Sequence, residues 1–312
     1  MARPSLRIGT RGSLLALKQS ENVKAALEAL NPDLRIELHV IKTTGDKILD
    51  VPLAKVGGKG LFVKEIEDAL LDRSVDLAVH SMKDVPSELP AGLLIGAIPV
   101  REDPRDVLVS RHGAGLAELP PGAIVGTSSL RRSAQLKRLR PDLEIQNLRG
   151  NLDTRLRKVR DGEYEAIVLA AAGLHRMGWQ DRITVYLDPA EFLPAIGQGA
   201  IGVEIRSDDE HLQQLLRGLH HPLTAVAVTA ERSFLQELEG GCQVPIGGYA
   251  EVMGESVELT GLVCSLDGRE THRITRAAPL AMAESLGRDL AREILEAGAR
   301  RILDEVYRAS AC

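Results

Sequence analysis

Two stretches of this sequence repeat one design. Leu6-Arg-Ile-Gly-Thr10 leads into Arg-Gly-Ser-Leu-Leu-Ala-Leu-Lys-Gln19, and Ala123-Ile-Val-Gly-Thr127 leads into Ser-Ser-Leu-Arg-Arg-Ser-Ala-Gln135. Each is a short β-rich run, a Gly-Thr turn, a small polar residue where a helix would be capped, and then a helical pattern. The parallel continues downstream. Ile36–Thr43 and Leu143–Asn147 read as second strands, Leu61–Leu71 and Leu152–Arg160 as helices, and Asp76–His80 and Glu165–Leu169 as third strands. Parallel strands need crossover connections, and those crossovers are right-handed. Two copies of a β-α-β-loop-α-β unit therefore predict two α/β domains, each with a mainly parallel sheet whose helix N-termini open on one edge. Such domains are expected to face each other across a cleft.

The segment 99–105, Pro-Val-Arg-Glu-Asp-Pro-Arg, breaks both periodicities and predicts the crossing between them, with the return near Leu193–Gly199. From about His220 the pattern changes. A helix over Thr224–Leu238 is followed by alternating strands at Tyr249–Met253, Ser256–Cys264 and Glu270–Ala277, then an amphipathic helix over Ala281–Glu296. This predicts a small α+β domain with an antiparallel sheet. The expected division is 1–99 with 200–217, 100–199, and 218–312. With 312 residues the chain exceeds what one core usually supports.

Composition narrows the function classes. At 44% hydrophobic and 27% charged residues a folded chain is expected. The three cysteines, at 242, 264 and 312, form neither a disulfide framework nor a CxxC pair, and the eight histidines show no HExxH spacing, so no metal is expected. No window approaches a membrane span and the first residues lack an apolar leader core, which points to the cytoplasm. Nothing in the pattern calls for more than a monomer.

The net charge is −5, yet residues 127–160 hold ten Lys/Arg against three Asp/Glu. That local excess predicts an anion site. Nucleic acid is disfavoured by the overall charge and by the presence of only three Phe, four Tyr and one Trp for stacking. Arg131, Arg132, Arg149 and Arg155, with Arg11 at the matching place of the first repeat, fall at strand ends and first helical turns, where backbone N–H groups already favour anions. Lys137, Arg138, Arg140, Arg157, Lys158 and Arg160 read better as a solvated helix face.

Asp76-Leu-Ala-Val-His-Ser-Met-Lys-Asp84 is a buried-looking strand that delivers Lys83 and Asp84 at its carboxyl end, where open α/β sheets place ligands. Asp84 is a candidate acid/base or cation stabiliser, and an Asp capping the turn before Pro86 fits this segment equally well. His80 reads as a core histidine. Val56-Gly-Gly-Lys-Gly-Leu-Phe62 lacks P-loop spacing and reads as a flap bringing Lys55, Lys59 and Phe62 to a ligand, or as a plain surface loop. Gly197-Gln-Gly-Ala-Ile-Gly202 matches a dinucleotide fingerprint by letter, but Pro194 precedes it and a strand-like run follows, so an interdomain turn is expected. Cys242 sits in Glu-Gly-Gly-Cys-Gln-Val-Pro after a helix, where Gly240 and Gly241 suit a left-handed helix cap. The negative end of the helix dipole does not activate a thiol, so an inert cysteine or a tether fits better than a nucleophile.

The motifs IGTRGSLLALKQ, GDKILDVPLAKVGGKGLFVKEIEDALL, DLAVHSMKDVP, REDPRDVLVS, IVGTSSLRRSAQL, LRGNLDTRL, LPAIGQGAIGVE and LEGGCQVPIGGYA, in this order from Arg7 to about Ala250, resemble the porphobilinogen deaminase (hydroxymethylbilane synthase) family. The resemblance implies two periplasmic-binding-protein-like type II domains and a third domain carrying the cysteine loop. It implies a transferase that condenses four porphobilinogen molecules head to tail, releases ammonia, and liberates hydroxymethylbilane by hydrolysis. It further implies a dipyrromethane cofactor in thioether linkage to Cys242, with Asp84 as the main catalytic carboxylate. Lys83, Thr127, Ser128, Ser129, Ser81, Arg131, Arg132, Arg155 and Gly199 would hold the cofactor. Arg11, Ser13, Arg149, Arg155, Arg176, Gln198, Lys55, Lys59 and Phe62 would serve the substrate. Porphobilinogen is the implied partner, with a functional link to uroporphyrinogen-III synthase. The chemistry agrees: loss of the aminomethyl nitrogen leaves an electron-poor azafulvene that a carboxylate can stabilise, and each added pyrrole brings two carboxylates for arginines to bind.

Overall fold

Each repeat folds as a five-stranded sheet in a computed structural model that describes residues 5–47, 63–239 and 244–311. Along the chain the strands are β1 (Ser5–Thr10), β2 (Arg35–Val40), β3 (Leu77–Ser81), β4 (Leu93–Ala97), β5 (Asp106–Ser110), β6 (Ile124–Gly126), β7 (Glu144–Gln146), β8 (Ala166–Ala170), β9 (Val185–Tyr186), β10 (Ile201–Arg206), β11 (Ile246–Met253), β12 (Ser256–Cys264) and β13 (Thr271–Pro279). The first sheet has the order β2-β1-β3-β10-β4 and the second β7-β6-β8-β5-β9.

In the first sheet β1 pairs in parallel with β2 and β3, whereas β10 is antiparallel to both β3 and β4. In the second, β6 is parallel to β7 and β8, and β5 is antiparallel to β8 and β9. Four strands thus run one way in each sheet and one is reversed. The sheets are mixed, with four of five strands running one way, and the sequence reading did not anticipate the reversed strand in each. The reversed strand is in both cases the one that enters after the chain has crossed between sheets. Leu77–His80, Ala166–Leu169 and all of β10 are buried, which is why β8 reads as a continuous apolar run and why Glu204 and Arg206 of β10 need internal partners.

The helices start where the sequence places their caps. Ser13 caps Leu14–Leu30 by accepting from the Ala16 N–H, and Ser129 caps Leu130–Leu139 by accepting from the Arg132 N–H. Helix Leu152–Arg160 has the expected bounds, and Lys64–Leu71 matches the described part of the other. The third sheet, β11-β12-β13, is antiparallel throughout. Helices Pro222–Glu237 and Ala283–Ile294 cover it, with Phe234, Leu259, Leu290 and Ile294 in a shared core. The two helices approach so closely at Gly287 that a Cβ there would lie 2.3 Å from the Ala230 carbonyl oxygen. The last helix does not end at Glu296 as expected. It passes through a π turn at Leu295–Ala299, where Gly298 takes φ +118°, and continues as Arg300–Ala311, because glycine can adopt a left-handed angle that lets the chain turn and start a second amphipathic run.

Behind β3 lies a buried polar group. His80 pairs with Glu204 at 2.8 Å, and nearby Glu67 on Lys64–Leu71 is 7% exposed. Burial, then the charge of Glu204, pushes the Glu67 carboxyl up to about 7. The folded state therefore prefers Glu67 protonated, and its stability falls as pH rises from the ordinary carboxyl value of 4.5 through about 7. Glu67→Gln is expected to raise Tm at pH 8 by on the order of 3 °C and to leave it unchanged at pH 5. Equal shifts at both values, read by calorimetry, would show that Glu67 is not the titrating group.

Candidate active site

The carboxyl ends of β1, β3, β6, β7 and β8 carry most of the residues singled out from the sequence. Arg11 and Ser13 follow β1. Lys83 and Asp84 follow β3 in a short 3₁₀ turn, Met82–Asp84, anchored by buried Met82. Thr127, Ser128 and Ser129 follow β6, Arg149 and Arg155 follow β7, and Arg176 lies on helix Ala171–Met177 after β8.

Local chemistry shapes these turns. The Thr127 hydroxyl accepts from the Ser129 N–H at 3.2 Å. The Ser128 hydroxyl donates to the Asn147 side-chain oxygen at 2.7 Å and to the Leu148 carbonyl, which ties the loops after β6 and β7 together. Ser81 accepts from Gln19 at 3.0 Å. Arg155 Nε donates to the Gly150 carbonyl at 2.8 Å, with Gly150 itself at φ +107°.

Arg131 and Arg132 turn inward, onto a carboxylate that the sequence reading did not single out. Asp106, at the start of β5 and fully buried, accepts from Arg131 Nη1 at 2.6 Å and from Arg132 Nε and Nη2 at 2.9 and 2.7 Å. Arg131 and Arg132 also donate to the Leu193 and Val168 carbonyls. Two guanidinium groups hold the Asp106 carboxyl far below the usual carboxylate range, even though burial opposes this. Arg140 is not a merely solvated residue either, since it pairs with Asp142 and donates to the Leu116 and Leu119 carbonyls.

Gln198 links this pair to the first domain. Its Nε2 donates to Asp106 at 3.0 Å and to the Pro104 carbonyl at 2.7 Å, and its Oε1 accepts from Lys83 Nζ at 3.5 Å. Arg176 donates to the Gly199 carbonyl at 2.6 Å. Gly199, at φ +85°, has the Glu102 carbonyl oxygen 2.3 Å from where a Cβ would sit, so no other residue fits this turn. The same turn is clamped by the buried Glu231, which accepts from Arg101 at 2.5 and 3.1 Å and from the Gly197 N–H at 2.6 Å. Gly197–Gly202 is thus an interdomain turn running into β10.

Charge is unevenly distributed. Lys83 has its pKa lowered to about 8, by burial first and then by Arg132, with Asp84 and Asp106 opposing. Arg155 falls to about 10 through burial, Arg132 and Arg149, with Asp84 opposing. Arg176 also falls to about 10 through burial, against Glu102. Lys83 of the first domain and Arg155 of the second therefore each stand within charge-charge range of both Asp84 and Arg132. Among the described residues, Lys83, Arg131, Arg132, Arg149 and Arg155 gather near Asp84 and Asp106. Such a cluster of cations suits a ligand bearing carboxylates. The buried Arg131 Nε has no hydrogen-bond partner among the described residues.

Cys242, Gly240, Gly241, Lys55, Lys59 and Phe62 lie outside the described residues. Among the described residues at the end of helix Pro222–Glu237, Glu239 is left-handed, at φ +53°. Among the described residues no three His, Cys, Asp or Glu side chains converge as a metal site would, and no helix is long and apolar enough to cross a membrane. Asp106, Glu231 and Arg101 were missed. The one available signal for Asp106 was an acidic residue opening an apolar strand in REDPRDVLVS, which a strand interior tolerates only when paired.

The family model described as "Porphobilinogen deaminase, dipyromethane cofactor binding domain" matches residues 6–214, and "Porphobilinogen deaminase, C-terminal domain" matches residues 225–296. Porphobilinogen deaminase of Syntrophobacter fumaroxidans is 68% identical over 304 residues, covering 97% of this chain and 98% of that protein. Those of Syntrophotalea carbinolica and Geobacter metallireducens are 57% and 53% identical, covering 97% and 98% of this chain and 96% of each relative. With both family models matched in order and relatives aligned over nearly their full length, the chain belongs to the porphobilinogen deaminase family.

Proposed function

We propose that this chain works as a porphobilinogen deaminase, in the cytoplasm and as a monomer, with three domains at 1–99 with 200–217, 100–199 and 218–312. It condenses four porphobilinogen molecules, releases ammonia, and frees hydroxymethylbilane for uroporphyrinogen-III synthase in tetrapyrrole biosynthesis. The observation that carries this reading is that Asp84 and Arg132 both lie within charge range of Lys83 and of Arg155.

The residues fit dipyrromethane, which carries carboxylates. Among the described residues, the cluster of Arg132, Arg149 and Arg155, and the buried Arg131 Nε without a hydrogen-bond partner there, suit such a group. Bound through a thioether to Cys242, dipyrromethane supplies the pyrrole carbon to which the first substrate is joined. Lys83, Arg132 and Arg155 would hold its carboxylates, and Thr127, Ser128, Ser129 and Ser81 would offer neutral donors. Arg131 acts mainly through Asp106, as a support that keeps the Arg132 guanidinium in place. Gly199 allows the interdomain turn its approach to Glu102 and Arg176.

Asp84 stabilises the positive charge that develops on the substrate as its aminomethyl nitrogen departs, and its carboxylate is positioned by the Met82 anchor. Lys83 stays cationic below about 8 and loses its charge above it, so carboxylate binding weakens on that side. Arg11, Ser13, Arg149, Arg155, Arg176 and Gln198 would receive the carboxylates of incoming substrate, with Lys55, Lys59 and Phe62 as further contacts.

Intact-mass measurement of the denatured protein tests this reading. The purified chain is expected to be heavier than its sequence by two pyrrole units, and Cys242→Ser to show the bare mass and no ammonia release from porphobilinogen. Active protein at the bare mass would overturn the covalent linkage. A cleft protein that only binds small carboxylates would close on ligand, release no ammonia, and be indifferent to Cys242→Ser.

A further inference from the structure

The turn that carries Asp84 is held from the third domain as well as from its own sheet. Val85 and Met82 are buried in a small apolar cluster with Ile98, Ala200 and Val228, and Ala225 packs against it. Val228 and Ala225 belong to helix Pro222–Glu237 of the third domain. One turn further along that helix, Arg232 Nη1 donates to the Val85 carbonyl at 3.2 Å, and Nη2 donates to the Pro86 and Ser87 carbonyls at 2.6 and 3.2 Å. No carboxylate among the described residues pairs with Arg232. Its charge is balanced by three consecutive backbone carbonyls, and burial lowers its pKa.

The arrangement has a physical reason. Residues 85–87 belong to no helix or strand, so no backbone ladder supplies donors to their carbonyls, and the Arg232 guanidinium does so instead. The planar fork of a guanidinium meets several acceptors at fixed angles, which an ammonium does not. We propose that Arg232 is a positioning residue for Asp84, clamping the backbone that follows it to the helix that leads into the Cys242 loop. The turn that bears the carboxylate is then tied to the third domain as well as to its own sheet. This inference rests on the reading of Asp84 given above.

The test is a double-mutant cycle joined to hydrogen exchange. Arg232→Gln is expected to lower kcat by about 10-fold to 100-fold with KM changed by less than about threefold, since small displacements of a reacting group are costly. Arg232→Lys should fall between the two. In an Asp84→Asn background, Arg232→Gln should have almost no further effect, because residues acting as a unit are not additive. Amides of 84–89 should exchange faster in Arg232→Gln, in protein with or without the added pyrrole mass, while the third-domain core stays protected. Additive losses in the cycle, unchanged exchange at 84–89, or kcat within twofold of wild type would each overturn the proposal. If Arg232→Gln does not fold, the same cycle run with Arg232→Lys decides it. Should Asp84→Asn itself keep near-normal turnover, the underlying reading of Asp84 fails instead, and the exchange result still reports on the clamp.

Discussion

Asp84→Asn is expected to keep the fold and lower kcat by roughly 10²–10³-fold, the usual consequence of removing one preorganised electrostatic stabiliser. Asparagine matches aspartate in shape, and the turn is anchored by Met82, Val85 and Arg232 rather than by the carboxylate, so Tm should hardly move. What disappears is the negative charge. Asp84 opposes the lowering of both the Lys83 and Arg155 pKa values, so its loss leaves those cations less compensated. A second signature follows with a definite sign. The Lys83 pKa, about 8 with Asp84 present, drops further without it, and the alkaline limb of the residual activity moves to lower pH. Ammonia release against pH in single-turnover experiments measures both effects. Turnover within a few-fold of wild type would mean that the catalytic carboxylate lies elsewhere.

Asp106→Asn is expected to destabilise the protein by about 3–5 kcal/mol, which for a domain of this size is a Tm loss on the order of 10 °C. Asp106 is fully buried and is the only acid paired with Arg131 and Arg132 among the described residues. An amide of the same size can still accept some of those hydrogen bonds. It cannot offset two guanidinium charges in a low-dielectric interior, so the cost is that of unpaired buried charge rather than of lost contacts. Gln198, which donates to Asp106, would loosen with it, and through Gln198 so would Lys83. Calorimetry gives the stability, and cofactor loading by intact mass gives the consequence for the site. A Tm within 2 °C of wild type would show that water reaches the two arginines.

The elements that the sequence made legible are those set by short-range rules. Ser13 and Ser129 cap their helices because a hydroxyl three residues before an N–H needs nothing from the rest of the chain. Central strands β3 and β8 showed as largely apolar runs because both faces are covered. The reversed strands β5 and β10 were not legible, since residue pattern carries no strand direction. Nor was the continuation past Glu296, where the period breaks at Gly298 and then restarts. Within the site, strand-end placement was enough to single out Lys83, Asp84, Arg149 and Arg155, whereas Arg176 entered only through the family resemblance.

By itself the sequence determined the duplicated β-turn-helix design, the third domain, the family, and the set of residues presented at strand ends, because periodicity and capping act within a few residues of chain. Only the tertiary structure decided how those residues are used. It set Asp106 between Arg131 and Arg132, joined Arg101 to Glu231 across 130 positions, and brought Arg232 to the carbonyls after Asp84. Ion pairs and carbonyl clamps of this kind depend on which groups share a low-dielectric interior, and that is a property of the assembled fold.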